Sequence, residues 1–156
     1  MLLRNTLAAI SVLLILIGCN TADNARPAGD FVVSIKSFDK FDHESISFVQ
    51  GEEVKMVLSI KNVSPDTKTL SFSSSKQYDF VIKEKNGAEV WRWSDGKLFT
   101  AAFSSYGIAP GETKTFSYKW DQTISDKGEL IPIGSYTLEA DDIGIDVIPT
   151  QNLQII

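Results

Sequence analysis

The sequence predicts an all-β domain, an immunoglobulin-like antiparallel β-sandwich of about seven to nine strands. Three observations predict it. Short apolar runs alternate with a period of two, as in Val54, Met56, Leu58 and Ile60 against Lys55, Ser59 and Lys61. Turn clusters separate these runs at regular spacing: Gly51-Glu52, Asn62 to Asp66, Asn86-Gly87, Ser94 to Lys97 and Ala109 to Glu112. Beyond the first 19 residues, no segment carries a helical apolar period. A closed barrel is the second arrangement these strands allow. The 156 residues, 43% hydrophobic, suit one domain with its own core.

The elements follow in chain order. Met1 to Arg4 is a short basic start, and Leu7 to Ile17 is apolar apart from Ser11. That run is too short to span a bilayer, which takes about 20 residues. With the Leu16-Ile17-Gly18-Cys19 end it has the layout of an export signal. It resembles a bacterial lipobox, which implies cleavage after residue 18 and lipidation of Cys19. Residues 1–18 are therefore expected to be a lipoprotein signal peptide. Residues 19–30 are expected to be the lipidated Cys and a flexible tether, broken by Pro27 and Gly29. Asn20 follows the Cys, which favours the outer membrane if the organism has two.

Residues 31–156 then form the sandwich domain. Strands are expected at Phe31 to Phe38, Ile46 to Val49, Glu53 to Val63, Thr69 to Ser73, Leu98 to Phe103, Thr113 to Trp120, Ser135 to Ala140, Ile143 to Ile148 and Asn152 to Ile156. Ser104 to Ile108 reads as loop. The Asn62-Val63-Ser64 triplet is a chance match to a glycosylation acceptor.

The most distinctive stretch is Tyr78 to Phe99. Asn86-Gly87 is a strong hairpin signal, because both central residues of the tight turn must tolerate positive φ. A two-residue turn pairs Lys83 with Val90, Ile82 with Trp91, Val81 with Arg92 and Phe80 with Trp93. Phe80, Ile82, Trp91 and Trp93 then share one face and should meet the core. Asp79 lies diagonal to Arg92 on the other face, within reach of a cross-strand salt bridge. Tyr78 and Tyr136 are expected to seal the sandwich.

Charge and composition exclude several functions. A net charge of −5 opposes binding to nucleic acid. With one cysteine and one histidine, the chain cannot supply the usual set for a structural zinc site. His43 sits between Asp42 and Glu44 in a polar connection, with no nucleophile elbow elsewhere. Carboxylates at Asp39/Asp42, Glu52/Glu53 and Asp141/Asp142 lack calcium-loop spacing and read as solvated turn charge. No enzyme activity, cofactor or metal is expected.

A resemblance adds to this. Phe72-Ser73-Ser74-Ser75, Gln77-Tyr78-Asp79-Phe80, Glu89-Val90-Trp91-Arg92-Trp93-Ser94, Gly96, Phe99, Pro110-Gly111-Glu112, Trp120 and Gly134-Ser135-Tyr136-Thr137 stand in the order of one family. Val57 to Asn62 also fits. Over roughly 53–140 the chain resembles the BsuPI-type intracellular proteinase inhibitor domain. The resemblance implies an immunoglobulin-like sandwich and inhibition of a serine protease by a docked loop. The founding activity is intracellular, whereas this chain carries an export leader.

The expected function is thus a membrane-tethered binding module resembling a proteinase inhibitor. The alternative is a non-inhibitory envelope lipoprotein that binds a protein or peptide as an adaptor. Candidate partner-contact residues are Ser94, Asp95, Gly96 and Lys97 in one loop, and Asp126 and Lys127 in the loop Thr123 to Glu129. Tyr78, Asp79, Phe80, Trp91, Arg92 and Trp93 are expected to be structural. The expected partner is a serine protease or another envelope protein. The protein is expected to be exported and lipid-anchored to a bacterial membrane.

Overall fold

The protein is described by a computed structural model over residues 24–125 and 127–156. Cys19, the leader before it and Asp126 lie outside the described residues. The described residues form eleven strands: β1 (Arg26–Ala28), β2 (Phe31–Phe38), β3 (Ser47–Phe48), β4 (Val54–Asn62), β5 (Lys68–Phe72), β6 (Asp79–Glu84), β7 (Glu89–Arg92), β8 (Ser104–Ile108), β9 (Thr113–Trp120), β10 (Gly134–Asp141) and β11 (Thr150–Ile155). One sheet has the order β1-β2-β4-β9 and the other β3-β11-β10-β6-β7, while β5 and β8 form a separate ribbon. All pairings are antiparallel except the short β3–β11 contact. The predicted sandwich is the fold, with more strands than expected because three of them are very short or irregular in pattern.

Alternation builds the core between the sheets. Val33 and Ile35 of β2 and Val54, Met56, Leu58 and Ile60 of β4 are fully buried. They meet Phe80 and Ile82 of β6, Leu138 and Ala140 of β10 and Leu153 and Ile155 of β11 in one cluster. Tyr136 donates its hydroxyl to the Pro132 carbonyl at 2.8 Å, four residues upstream. This is the tyrosine corner found in immunoglobulin-like sandwiches. Among the described residues, no buried side-chain nitrogen or oxygen lacks a hydrogen-bond partner. The Asn62 amide donates to the carbonyls of Asp66 and Ile108 at 2.7 and 2.9 Å, so it is a structural group and not a glycan acceptor.

Four expectations need correction. Arg26–Ala28 is not free tether: it pairs with β2, and Arg26 donates to Thr150 Oγ1 at 2.7 Å. Pro27 is tolerated there because β1 is an edge strand. Leu98 to Phe103 is an irregular loop, and the strand is the next segment, β8, paired with β5. β8 hides from pattern reading because only Ile108 among its residues is buried. Ile143 to Ile148 is irregular and not a strand: residues 143–146 bend, turned by Gly144 at φ +74°.

The fourth correction is the hairpin turn. Glu84 accepts from the Gly87 amide at 2.9 Å and donates to the Ala88 carbonyl at 2.8 Å, so the loop has three residues. Of the two turn residues, only Gly87 has positive φ. A type I turn closed by a left-handed glycine meets these demands. The one-residue offset is absorbed farther on: Val81 pairs with Arg92 and Ile82 with Trp91 as expected, but Lys83 pairs with Glu89, leaving Val90 as a bulge.

Candidate functional site

β7 ends one sheet and β9 ends the other. The space between these two edges is filled by aromatic rings. Trp91 lies 5.8 Å from Tyr118 and 5.1 Å from Trp120, centroid to centroid. Trp93 stacks on Tyr78 at 4.5 Å, and Tyr78 meets Phe116 at 4.9 Å and Phe80 at 5.2 Å. Phe80 and Trp120 are buried, but Trp91 and Trp93 are only half-buried. The tryptophans therefore pack on the core without being enclosed by it, because their strand is an edge with no layer beyond.

Their free surfaces line a groove of about 460 Å³. Asp95, Gly96 and Lys97 border it from one loop, and Thr123, Ile124 and Ser125 from another. The two candidate loops, far apart in sequence, flank one depression. Lys127 is exposed but is not part of the lining. Asp126 falls outside the described residues.

Both loops are tied down. In the first, Lys97 donates its amide to the Ser94 carbonyl at 3.0 Å, and Gly96 supplies the φ of +70° that this tight turn requires. The Lys97 ammonium lies 4.6 Å over the Trp93 ring and donates to the Trp93 carbonyl. In the second, the wholly buried Gln122 donates to the carbonyls of Val49 and Glu52 at 2.8 Å. Trp120 Nε1 donates to the Thr123 carbonyl at 3.0 Å.

Beneath the first loop lies an ion-pair network. Asp79 has no exposed surface. It accepts from Arg92 Nη1 at 3.0 Å, Lys76 Nζ at 3.1 Å, the Ser94 amide at 3.1 Å and the Ser94 hydroxyl. Burial pushes its carboxyl up, but the hydrogen bonds from Ser94, Arg92 and Lys76 outweigh that and hold it below the usual range. Arg92 also binds Glu89 at 2.7 Å and Asp141 at 3.1 Å; bonds to Glu89, Asp79 and Asp141 push its already high pKa higher still. Asp141 is pushed up by burial, against the pull of Arg92.

Asp79, Asp141 and Asp142 place carboxylate oxygens within 4.8 Å of one another. Arg92 and Lys76 already occupy the space a cation would need, so the cluster is an ion-pair network. His43 is exposed, with Nδ1 3.3 Å from Asp39, in a connection that does not border the groove. Sequence reasoning placed both loops as candidates, but within Thr123 to Glu129 it singled out Asp126 and Lys127, whereas Thr123, Ile124 and Ser125 of that loop line the groove. Nothing local marks these three; only the fold brings them to Trp91.

Residues 42–142 match the family described as BsuPI, intracellular proteinase inhibitor. No curated protein matches the chain. Among solved structures, a β-glucosidase from Listeria innocua in complex with isofagomine is 13% identical, with a TM-score of 0.46, covering 80% of this chain and 16% of that one. A β-glucosidase from Erythrobacter marinus is 12% identical, with a TM-score of 0.47, covering 81% of this chain and 15% of that one. The CARDB domain of a Pyrococcus furiosus protein in complex with di-metal ions is 14% identical, with a TM-score of 0.42, covering 81% of this chain and 88% of that one. The chain thus spans under a fifth of the length of the two glucosidases. At these identities the likenesses say nothing of activity.

Proposed function

The chain belongs to the BsuPI intracellular proteinase inhibitor family, and from that premise we propose that it is a membrane-tethered module that blocks a serine protease by loop docking. One observation carries the proposal: Asp95 to Lys97 and Thr123 to Ser125 flank the same aromatic groove. A protease cleft is closed by a protruding, pre-ordered surface. The hydrogen bonds under Ser94 and around Gln122 hold both loops before any partner arrives, which limits the ordering cost of binding. Half-exposed tryptophans beside the loops suit a contact centre, where aromatic side chains concentrate binding energy. The reading involves no catalytic step.

The export leader and Cys19 support a lipid anchor on a bacterial membrane, the outer one where two exist. Mass spectrometry of the native protein should find acyl chains on Cys19, and an unmodified Cys19 would reject the anchor. For inhibition, the full-length chain in detergent is titrated against a panel of subtilisin-like proteases. Loss of protease activity at micromolar protein is the expected result, and neither inhibition nor a complex would reject the proposal. A second reading, a non-inhibitory adaptor, is favoured by the open edge of β9, whose eight residues could pair with a partner strand. A stable complex with an envelope protein and no effect on proteolysis would support that one.

A further inference from the structure

Leu98 stands apart from every other large apolar side chain among the described residues. It is 100% exposed. The chain on either side of it is fixed. Before it, the Ser94–Lys97 turn is closed by its own hydrogen bond, and the Lys97 ammonium rests over Trp93. After it, Phe99 packs on Trp93 at 5.8 Å between centroids. Thr100 then exchanges two hydrogen bonds with Ser75, amide to Oγ at 3.0 Å and carbonyl from the Ser75 amide at 3.0 Å. A leucine is thus held out in solvent between two anchors, on a segment with no regular pairing.

We infer that Leu98 is the residue that enters the primary specificity pocket of the target protease, and that this pocket is apolar. The inference rests on the inhibitor reading above and names its contact residue. The physical argument is one of difference. Leu98 gains nothing from the folded chain, so its whole apolar surface remains to be buried by a partner. The flanking anchors keep it presented, so binding need not order the loop. Serine proteases choose the docked residue by the chemistry of one pocket: an acidic floor takes Arg or Lys, and a hydrophobic slot takes a side chain such as leucine. The neighbouring Lys97 cannot take that place, because its ammonium is held by Trp93 and Tyr118. Phe103, 81% exposed, ends the same loop.

The test uses the full-length chain in detergent, a subtilisin-like protease with an apolar pocket and a trypsin-like protease with an acidic one. The wild-type chain should inhibit the first and not the second. Leu98→Asp should raise the inhibition constant for the first by roughly 30-fold or more, the size of a central contact. Leu98→Arg should shift inhibition towards the trypsin-like enzyme. Neither change should alter the melting temperature, since the side chain touches nothing. If wild type inhibits while Leu98→Asp stays within about threefold of it, this inference falls and the inhibitor reading stands. If wild type inhibits the trypsin-like enzyme instead, the pocket assignment falls. If it inhibits neither, both fall together.

Discussion

Asp79 and Arg92 meet at 3.0 Å across the β6–β7 pair, the carboxylate wholly buried and the guanidinium partly covered. The pair joins fold to site. Through the same carboxylate, Asp79 receives the Ser94 amide, and Ser94 begins the turn that ends at Lys97. A buried carboxylate persists only where donors replace the water it has lost. Here three residues supply them, so the charge that closes the sheet edge also fixes the start of the loop.

Removing that carboxylate should be severe. Asp79→Ala leaves Arg92, Lys76 and the Ser94 amide facing a gap. Breaking a buried pair from one side costs about 3–5 kcal/mol. Urea unfolding at neutral pH should show a loss of that order. A loss under about 1 kcal/mol would mean that water satisfies the stranded groups.

Stability should fall in acid through the same residue. The folded-state pKa of Asp79 lies below its ordinary value, so the unfolded chain takes up the proton first as pH drops. The contribution of Asp79 is complete above about pH 4 and is lost as pH falls through the folded value. Asp141 works in the opposite sense: burial raises its pKa, so the folded state takes its proton first and gains as pH falls. Asp79→Asn should flatten the acid limb of a stability profile measured between neutral pH and about pH 3. An unchanged slope would place the acid sensitivity elsewhere.

The two residues stacked at the groove should separate in their effects. Trp93→Ala removes the ring that holds Tyr78 and Phe99. For a half-buried indole a loss of about 2–4 kcal/mol is expected, at or below the range for a fully enclosed one. Lys97→Ala removes a cation from an open aromatic face and should cost about 0.5–1 kcal/mol. Thermal unfolding of the two variants distinguishes them. Equal losses would mean that the ammonium, and not the ring, organises the loop.

Tyr136→Phe isolates one hydrogen bond. The ring stays and the bond to the Pro132 carbonyl at 2.8 Å goes. The expected cost is about 1 kcal/mol. No measurable change would reduce the corner to ring packing alone.

Much of the sandwich was legible because half-buried strands write their burial into alternate residues. β4 and β9 could be read from Val54 to Ile60 and from Phe116 to Trp120 alone. β8 could not, since a ribbon strand with one buried residue carries no such pattern. Leu98 to Phe103 misled for the opposite reason. Its apolar residues read as strand, yet Leu98 and Phe103 face solvent. The Asp79–Arg92 pair was legible from the hairpin register, because Val81 opposite Arg92 survives the change of turn. The groove was not, because its second wall comes from residues some 30 positions away that only the meeting of two sheet edges brings near.

The extra residue at Val90 shapes how copies of this protein pass one another. An outermost strand offers unpaired amides to any neighbouring chain, and a long flat one invites fusion of sheets. β7 offers four residues, interrupted by the irregularity and bordered by the charged Glu89 and Arg92. A crowded array of these molecules would therefore find little to zip against on that side.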